Sequence, residues 1–501
     1  MSLAAQKLPW LLFLGVGLAL GLGSFDGAAV QGIFPYLAGG VATSSDHALW
    51  TLTYFIVNWS VGITLMPWTT VRFGPRRVFA AACGLAALGS LISASTSNLW
   101  VLLLSRAMEG MAAGLLVPLS QSLFLRASPP ARHGLVTVLW SNAMLVPFFV
   151  GPAIGGYLAV NFGYRWIFAL SIPIWLLAAW LGARAIAEPP REQRPPAFDA
   201  LGFLLLYAGL MALQIVLDNG EQDGWWHSRF ILQTTLVALM LLALFAWREG
   251  SATHPLLRFH YLRQRNYWLG LLLLCLGWAL FMGWASLLPL WAEENLGFNG
   301  WWGSTILLPI GLAAVPVSSL MNRLHGLLGL RRLASACFLL FAFAYGLAYL
   351  SPMMSLADLF WPIFLLGLGV GSLFVPFTLI ILSGVPKEEI PSASTTSNFI
   401  RVFSANIGVT VLEVLWSRWT ALAHAQLRAT LPAEAGIPLP QLLQHLDQLA
   451  ATLSLNNLLR FSFWLALAAA LVAYFFLVPP RRLATATKDY VELEERELGS
   501  T

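Results

Sequence analysis

Three ionisable residues interrupt long apolar stretches early in the chain. Asp26 stands alone in Gly21-Leu22-Gly23-Ser24-Phe25-Asp26-Gly27-Ala28-Ala29-Val30, and Arg106 precedes Glu109 by three positions. A carboxylate at membrane depth is costly, and such groups mark ion or substrate pathways. Asp26 is therefore expected to bind a proton in one half of a transport cycle. Arg106, Glu109 and Gly110 fall at i, i+3 and i+4, so they share one helix face. Two readings of that face stay open. Glu109 is the counter-charge of a structural ion pair, or Arg106 sets the protonation of a nearby carboxyl, Asp26 or Glu109, because burial favours a neutral carboxyl and an adjacent cation an ionised one. Further along, Arg401 follows Asn398, and Glu413 lies three turns beyond it. Arg401 either faces a cavity or binds a helix C-terminus.

The elements that must hold these groups follow from composition. The 501 residues are 58% hydrophobic and 10% charged, with a mean hydropathy of +0.73. Soluble domains carry about a quarter charged residues, so an integral membrane protein is expected. The apolar runs are long and do not alternate with period two, which indicates helices and excludes a β-barrel. Cys83, Cys275 and Cys337 sit in apolar runs without disulfide or zinc spacing and read as small core residues. No metal site is expected, and the net charge of +5 is not a nucleic-acid footprint. The first run, with Lys7 as its basic flank, reads as an uncleaved span and not a signal peptide.

Fourteen spans are expected, near 9–31, 49–67, 78–96, 99–125, 135–160, 164–184, 200–218, 230–248, 267–291, 301–322, 332–350, 357–384, 395–419 and 459–479. An even count puts both termini on one side. Arg72, Arg76, Arg77, Arg126, Arg132, Arg191, Arg194, Arg248, Arg258, Arg263, Arg265, Arg323, Arg331, Arg332, Lys387, Arg481 and Arg482 then share that side, while mainly Asp46, Glu221, Asp223, Asp358, Glu434 and Asp447, with a few arginines such as Arg229 and Arg428, fall opposite. The positive-inside rule makes the termini cytoplasmic.

A weak repeat runs through the spans. Gly74-Pro75-Arg76-Arg77 after the second is echoed by Gly329-Leu330-Arg331-Arg332 after the tenth, and Gly110-x-x-x-Gly114 by Gly367-x-x-x-Gly371. Two six-helix halves separated by two extra spans would give this pattern, and parallel repeats are typical of secondary transporters. No G-x-x-x-x-G-K-[ST] stretch is present, so an ion or substrate gradient must supply the energy. The fifth span holds Pro147 and Gly151-Pro152-Ala153-Ile154-Gly155-Gly156. Its glycines allow close helix approach and its prolines bend the helix, in generic packing or in a functional motif. Most of the 22 Trp belong to interfacial belts, while Trp140, Trp278 and Trp284 fall inside spans, where they either pack or stack on substrate. Leu442, Leu443, Leu446, Leu449 and Leu453 share a face of 438–459, which predicts an amphipathic outer helix lying on the membrane or docking a partner.

Taken in order, these motifs resemble the fourteen-span drug:proton antiporters of the major facilitator superfamily, Emr-type inner-membrane pumps in particular. Gly151-Pro152-x-x-Gly155-Gly156 looks like that family's antiporter motif. Pro118-Leu119-Ser120-Gln121-Ser122-Leu123, Leu213-Gln214-Ile215-Val216-Leu217-Asp218-x-Gly220 and Ser397-Asn398-Phe399-x-Arg401 also match, and Asp26, followed by Pro35, occupies the family's first-span carboxylate position. The resemblance implies an all-α membrane protein of the major facilitator fold, with two six-helix bundles plus two inserted transmembrane helices. It also implies alternating access and proton-coupled efflux of hydrophobic or amphipathic small molecules, or of a specific metabolite such as a siderophore or fatty acid.

On that pattern the expected division is 1–190 for the N-terminal bundle, 191–265 for the inserted linker, 266–480 for the C-terminal bundle with an outer loop at 420–458, and 481–501 for a cytoplasmic tail. Proton coupling is assigned to Asp26, Glu109, Arg106, Arg401 and Glu413. The substrate cavity is assigned to Gln31, Gln121, Trp140, Asn142, Trp278, Trp284 and Asn398, and gating to Arg72, Gly74, Arg76 and Arg77. No cofactor beyond the proton gradient is expected. The expected partners are substrate, protons and the bilayer, with a periplasmic adaptor and an outer-membrane channel as further candidates. Two departures stand out. Pro67 and Val71 replace the gating loop's glycine and aspartate, and Glu109 stands where the family usually carries glutamine, which adds a second candidate proton site.

Overall fold

The computed structural model describes residues 10–129, 132–188, 197–252, 255–386, 389–430 and 439–477. Arg191, Arg194, Lys387, Glu434, Arg481, Arg482 and the segment 481–501 lie outside the described residues. The regular elements within them are all helical. The first seven are α1 (Trp10–Ala28), α2 (Phe34–Gly40), α3 (Ser45–Phe73), α4 (Pro75–Ser95), α5 (Leu99–Arg126), α6 (His133–Asn161) and α7 (Arg165–Ala185). Two inserted helices, α8 (Ala200–Asn219) and α9 (Arg229–Ser251), follow. The second bundle comprises α10 (Arg265–Asn295), α11 (Gly300–Thr305), α12 (Leu308–Leu328), α13 (Leu330–Leu347), α14 (Leu356–Leu382), α15 (Ile390–Thr430) and α16 (Leu439–Phe476). Fourteen segments are long and apolar enough to cross a membrane, with α11 and α12 sharing the tenth crossing. They match the expected spans one for one. Because the crossings alternate, the chain has a terminal face, where α1 starts and α16 ends, and an opposite far face.

The weak repeat is a structural one. In the first bundle α1 packs on α6, α3 on α5, α4 on α5 and α4 on α7; in the second, α10 packs on α15, α12 on α14, α13 on α14 and α13 on α16. Gly74 and Gly329 both cap a following helix at positive φ, 86° and 78°, which suits glycine. Gly110 and Gly114 of α5 press on the carbonyls of Phe55 and Trp59, as Gly367 and Gly371 of α14 press on those of Ile310 and Ala314.

Three boundaries differ from expectation. The first crossing stops at Ala28, and residues 29–32 turn before α2 begins with Pro35 in its first turn. Proline has no N–H to give a preceding turn, so it starts a helix better than it continues one. The tenth crossing breaks at Ile306 and Leu307, just before Pro309. The last two crossings are much longer than a bilayer needs. α15 has 41 residues and α16 has 38, about 60 Å each at 1.5 Å per residue against a hydrocarbon core of about 30 Å. The leucine-bearing segment from Leu439 onward is the first part of α16, not a separate surface helix. Only part of its face meets α15: Leu446 and Ala450 are buried and Trp416 Nε1 donates to Ala451 O at 3.1 Å, while Leu443, Leu449 and Leu453 stay exposed.

The inserted pair is pinned at the terminal face. Asp199 caps α8 by accepting from Gly202 N at 2.9 Å and takes the Arg248 guanidinium at 2.7 Å. Burial opposes ionisation there, but these donors hold the Asp199 carboxyl below the usual carboxylate range.

Candidate proton and substrate site

The Asn98 side chain caps α5, accepting from Trp100 N and Val101 N, and two turns on the helix carries Arg106 and Glu109 into the core of the first bundle, 0% and 1% exposed. Arg106 Nη1 donates to Glu109 Oε2. Its Nε donates to Thr51 O at 3.2 Å and its Nη2 to the main-chain oxygen of Asp26 at 2.8 Å. The guanidinium carbon lies 4.4 Å from the ring centre of Phe55 and 5.6 Å from that of Phe168, within cation–π range. Ser93 Oγ donates to the second Glu109 oxygen at 3.2 Å, and a Cβ at Gly89 would come within 2.8 Å of Glu109 Cγ, so only glycine leaves the side chain its room.

Asp26 is 1% exposed and held differently. Its Oδ1 accepts from Ser171 Oγ at 2.7 Å and its Oδ2 from Trp175 Nε1 at 3.0 Å, both on α7. Both partners are neutral. Arg106 is the charge partner of Glu109 and touches Asp26 only through the main chain. One sealed guanidinium serves two sealed carboxyl groups, so a single proton separates a neutral cluster from a net negative one. In low dielectric that difference is large.

The motif on α6 connects this cluster to the far face. Cβ atoms at Gly151 and Gly155 would meet Phe25 O and Ala29 O, on either side of Asp26, and one at Gly156 would meet Gly300 O of α11. Pro147 packs against Gly21, while Pro152 continues the bent stretch between the glycines. Beyond the turn, Gly32 O accepts from Ser304 Oγ at 3.1 Å, and Tyr36 Oη accepts from Gly300 N at 3.1 Å. These hydrogen bonds join the two bundles at the far face.

The remaining assigned residues lie in several separate places. Arg401 is not beside Asp26. It lies 7% exposed at the seam of the bundles, donating to Asn398 Oδ1 at 3.2 Å beneath the rings of Trp278 (5.3 Å) and Phe374 (5.1 Å). Among the described residues no carboxylate pairs with it. It borders a void of about 20 Å³ with Trp59, Phe148 and Trp278, so the central cavity is filled by aromatic rings in this conformation. The indole nitrogens of Trp59 and Trp278 have no hydrogen-bond partner there.

Glu413 belongs to the far half of α15, near Asp46 and Asp218 rather than Asp26. Trp284 donates to Ser462 Oγ at 3.0 Å inside the second bundle, away from the central void. Trp140 donates to Ser120 Oγ at 2.9 Å, with Gln121 half-buried beside that serine. Asn142 lines a cleft of about 640 Å³ between α1, α6 and α7, whose rim includes exposed Leu14 and Val146. Gln31 is buried in the turn beyond α1 with its amide nitrogen unpartnered.

In the gating loop Arg72 and Arg76 are exposed, and Arg77 faces Glu188, which follows α7, at 3.9 Å. An exposed pair at that distance contributes little. Sequence reasoning missed Ser171 and Trp175, the partners of Asp26. Their i, i+4 spacing in an apolar run was the available signal.

A family model described as Major Facilitator Superfamily matches residues 16–409. The fatty acid resistance protein FarB of Neisseria gonorrhoeae is 32% identical over 85% of this chain and 84% of its own length. The multidrug export protein EmrB of Escherichia coli K12 is 31% identical over 82% of this chain and 81% of its own length. Among solved structures, a bacterial homologue of the human lysosomal transporter Spinster superposes with a TM-score of 0.60 at 14% identity, covering 95% of this chain and 98% of that one. That likeness concerns the fold, while the family match and the relatives span most of the sequence. The chain therefore belongs to the Major Facilitator Superfamily, as a multi-pass membrane transporter.

Proposed function

We propose that the protein is a proton-coupled exporter of hydrophobic or amphipathic small molecules, working by alternating access in a bacterial inner membrane with both termini cytoplasmic. The single observation that carries this reading is the Asp26–Arg106–Glu109 cluster, two sealed carboxyl groups for one sealed guanidinium. A proton taken up there changes the charge of a site whose helix, α1, packs on Gly151 and leads through the turn at 29–32 to the far-face contacts of Gly32 and Tyr36 with α11. Loading is thus mechanically linked to the seam between the bundles. Relatives named for multidrug export fit this cargo class, and the proton gradient is the energy source the reading requires. The test is proton-driven efflux in everted vesicles carrying Asp26→Asn or Glu109→Gln. Loss of coupled exchange in either variant, at unchanged protein level, is expected. Full exchange in both would remove the cluster from the mechanism.

One observation favours a narrower cargo. Arg401 is a buried cation with no carboxylate partner among the described residues, walled by aromatic rings and near two unpartnered indole N–H groups, a setting that favours an amphipath with an anionic head. A relative named for fatty acid resistance is compatible with it. Arg401→Gln should cut efflux of long-chain carboxylates about tenfold, the order expected for losing one charge-assisted contact, and leave efflux of lipophilic cations intact. Equal loss of both would count against an anion seat.

The far-face extension of α15 and α16 offers a seat for a periplasmic adaptor, which would pass cargo to an outer-membrane channel.

A further inference from the structure

The two bundles meet along two seams, α6 against α11 and α12, and α3 against α15. The inserted helices cover only the second. Val57 and Val61 of α3, Leu206 and Leu210 of α8, Phe245 of α9 and Phe399 of α15 share one apolar cluster. On the far side of that cluster, two layers of polar contacts tie α8 and the turn after it to both bundles at once. In the buried layer Asp218 accepts from Thr53 Oγ1 of α3 at 3.2 Å and from Gln214 Nε2 at 2.6 Å, while Gln214 Oε1 accepts from Asn406 Nδ2 of α15. Thr53, Gln214 and Asn406 are fully buried. In the outer layer His47 of α3 meets Gln222 at 3.0 Å, and Arg418 of α15 donates to Glu221 at 2.7 Å.

We propose that the inserted pair is a clasp on the α3–α15 seam, with Asp218 and Gln214 as positioning residues that hold the far face shut and release one bundle when it opens. The proposal rests on the alternating-access reading, in which the far ends of α3 and α15 must part. Helices of this length move as rigid bodies, so the chain Thr53–Asp218–Gln214–Asn406 cannot stretch; opening breaks one of its links. The broken link leaves a buried donor or acceptor unpaired, which shifts the equilibrium toward the closed state by roughly tenfold or more. Asp218 suits the middle of such a chain because a carboxylate accepts on both oxygens. The extra spans are then a working part of the cycle and not filler.

Spin labels at Gly39→Cys, beside the first bundle's far end, and Met353→Cys, in the far loop of the second, report the opening as a distance in the full-length protein in lipid nanodiscs. Gly39 has open space around it, Met353 is 97% exposed, the native Cys83 and Cys337 are buried, and the half-buried Cys275 is replaced by Ala in every variant. With Asp218→Leu a longer-distance population should grow at the expense of the closed one. Asp218→Asn should keep the closed distribution, since the Thr53 hydroxyl can accept as well as donate. If Asp218→Leu does not fold, Thr53→Val combined with Gln222→Ala cuts the α3 side alone and should give the same shift. An unchanged distribution in the folded leucine or double variant would overturn the clasp. So would widening in Asp218→Asn equal to that in Asp218→Leu, which would make the charge, not the bridge, the operative feature. The distance readout is independent of cargo and coupling ion, so its failure leaves the exporter reading intact, and loss of that reading leaves the distances measurable.

Discussion

Arg106 has no exposed surface, and its charge is met by Glu109, two main-chain carbonyls and the faces of Phe55 and Phe168. Taking two charges out of water costs most of what their attraction returns, so the pair itself adds little to stability. Removing one partner is different, because the other remains as an uncompensated buried charge at a cost of about 3–5 kcal/mol. Arg106→Leu should therefore lower the thermal midpoint sharply in detergent or nanodiscs, while Arg106→Leu combined with Glu109→Leu recovers most of the loss. A double variant no more stable than the single one would mean that Arg106 acts through its carbonyl and ring contacts and not through Glu109. Asp26 needs no such partner. Ser171 and Trp175 supply neutral donors, which is why a lone carboxyl survives in the first crossing. The sequence pointed to Asp26 by its isolation and to Arg106 and Glu109 by their spacing, whereas their relative orientation depended on which α7 side chains face α1.

At the level of elements, fourteen crossings were legible because bilayer thickness sets a length that hydropathy reveals directly. The repeat was legible because the same backbone demand recurs: Gly74 and Gly329 adopt nearly the same positive φ, and each x-x-x-spaced glycine pair presses on the carbonyls of one neighbouring helix. Helix ends were less legible. The break after Ala28 follows from Pro35 and the demand for a contact with α11, and a single-sequence reading sees the first cause but not the second. The leucine face of α16 could equally serve a membrane surface or another helix, and which of its leucines turns to α15, with Leu446 alone among them buried, is a long-range matter. Arg401 and Glu413 share α15, yet three turns of separation send them to different environments, which spacing along one helix does not reveal.

For the whole molecule, the length of α15 and α16 sets the remaining question. Both helices rise well beyond the hydrocarbon core on the far face, where Trp416 Nε1 donates to Ala451 O and His424 meets Asp447 at 3.1 Å. Leu443, Leu449 and Leu453 stay exposed there at 41%, 46% and 45%, although Leu446 between them is buried. This projection is where the proposed adaptor seat can be tested. Replacing residues 427–442 by a short Gly/Ser linker keeps the anchoring contacts of Trp416 and Leu446 and shortens α15 and α16 on the far face. Efflux in everted vesicles should persist in this variant, because the proton cluster and both seams are untouched. Drug resistance of whole cells that depends on an outer-membrane channel should fall toward that of cells lacking the transporter. Full cellular resistance in the shortened variant would count against the proposed adaptor seat, and loss of vesicle efflux as well would assign the extension to the transport cycle itself.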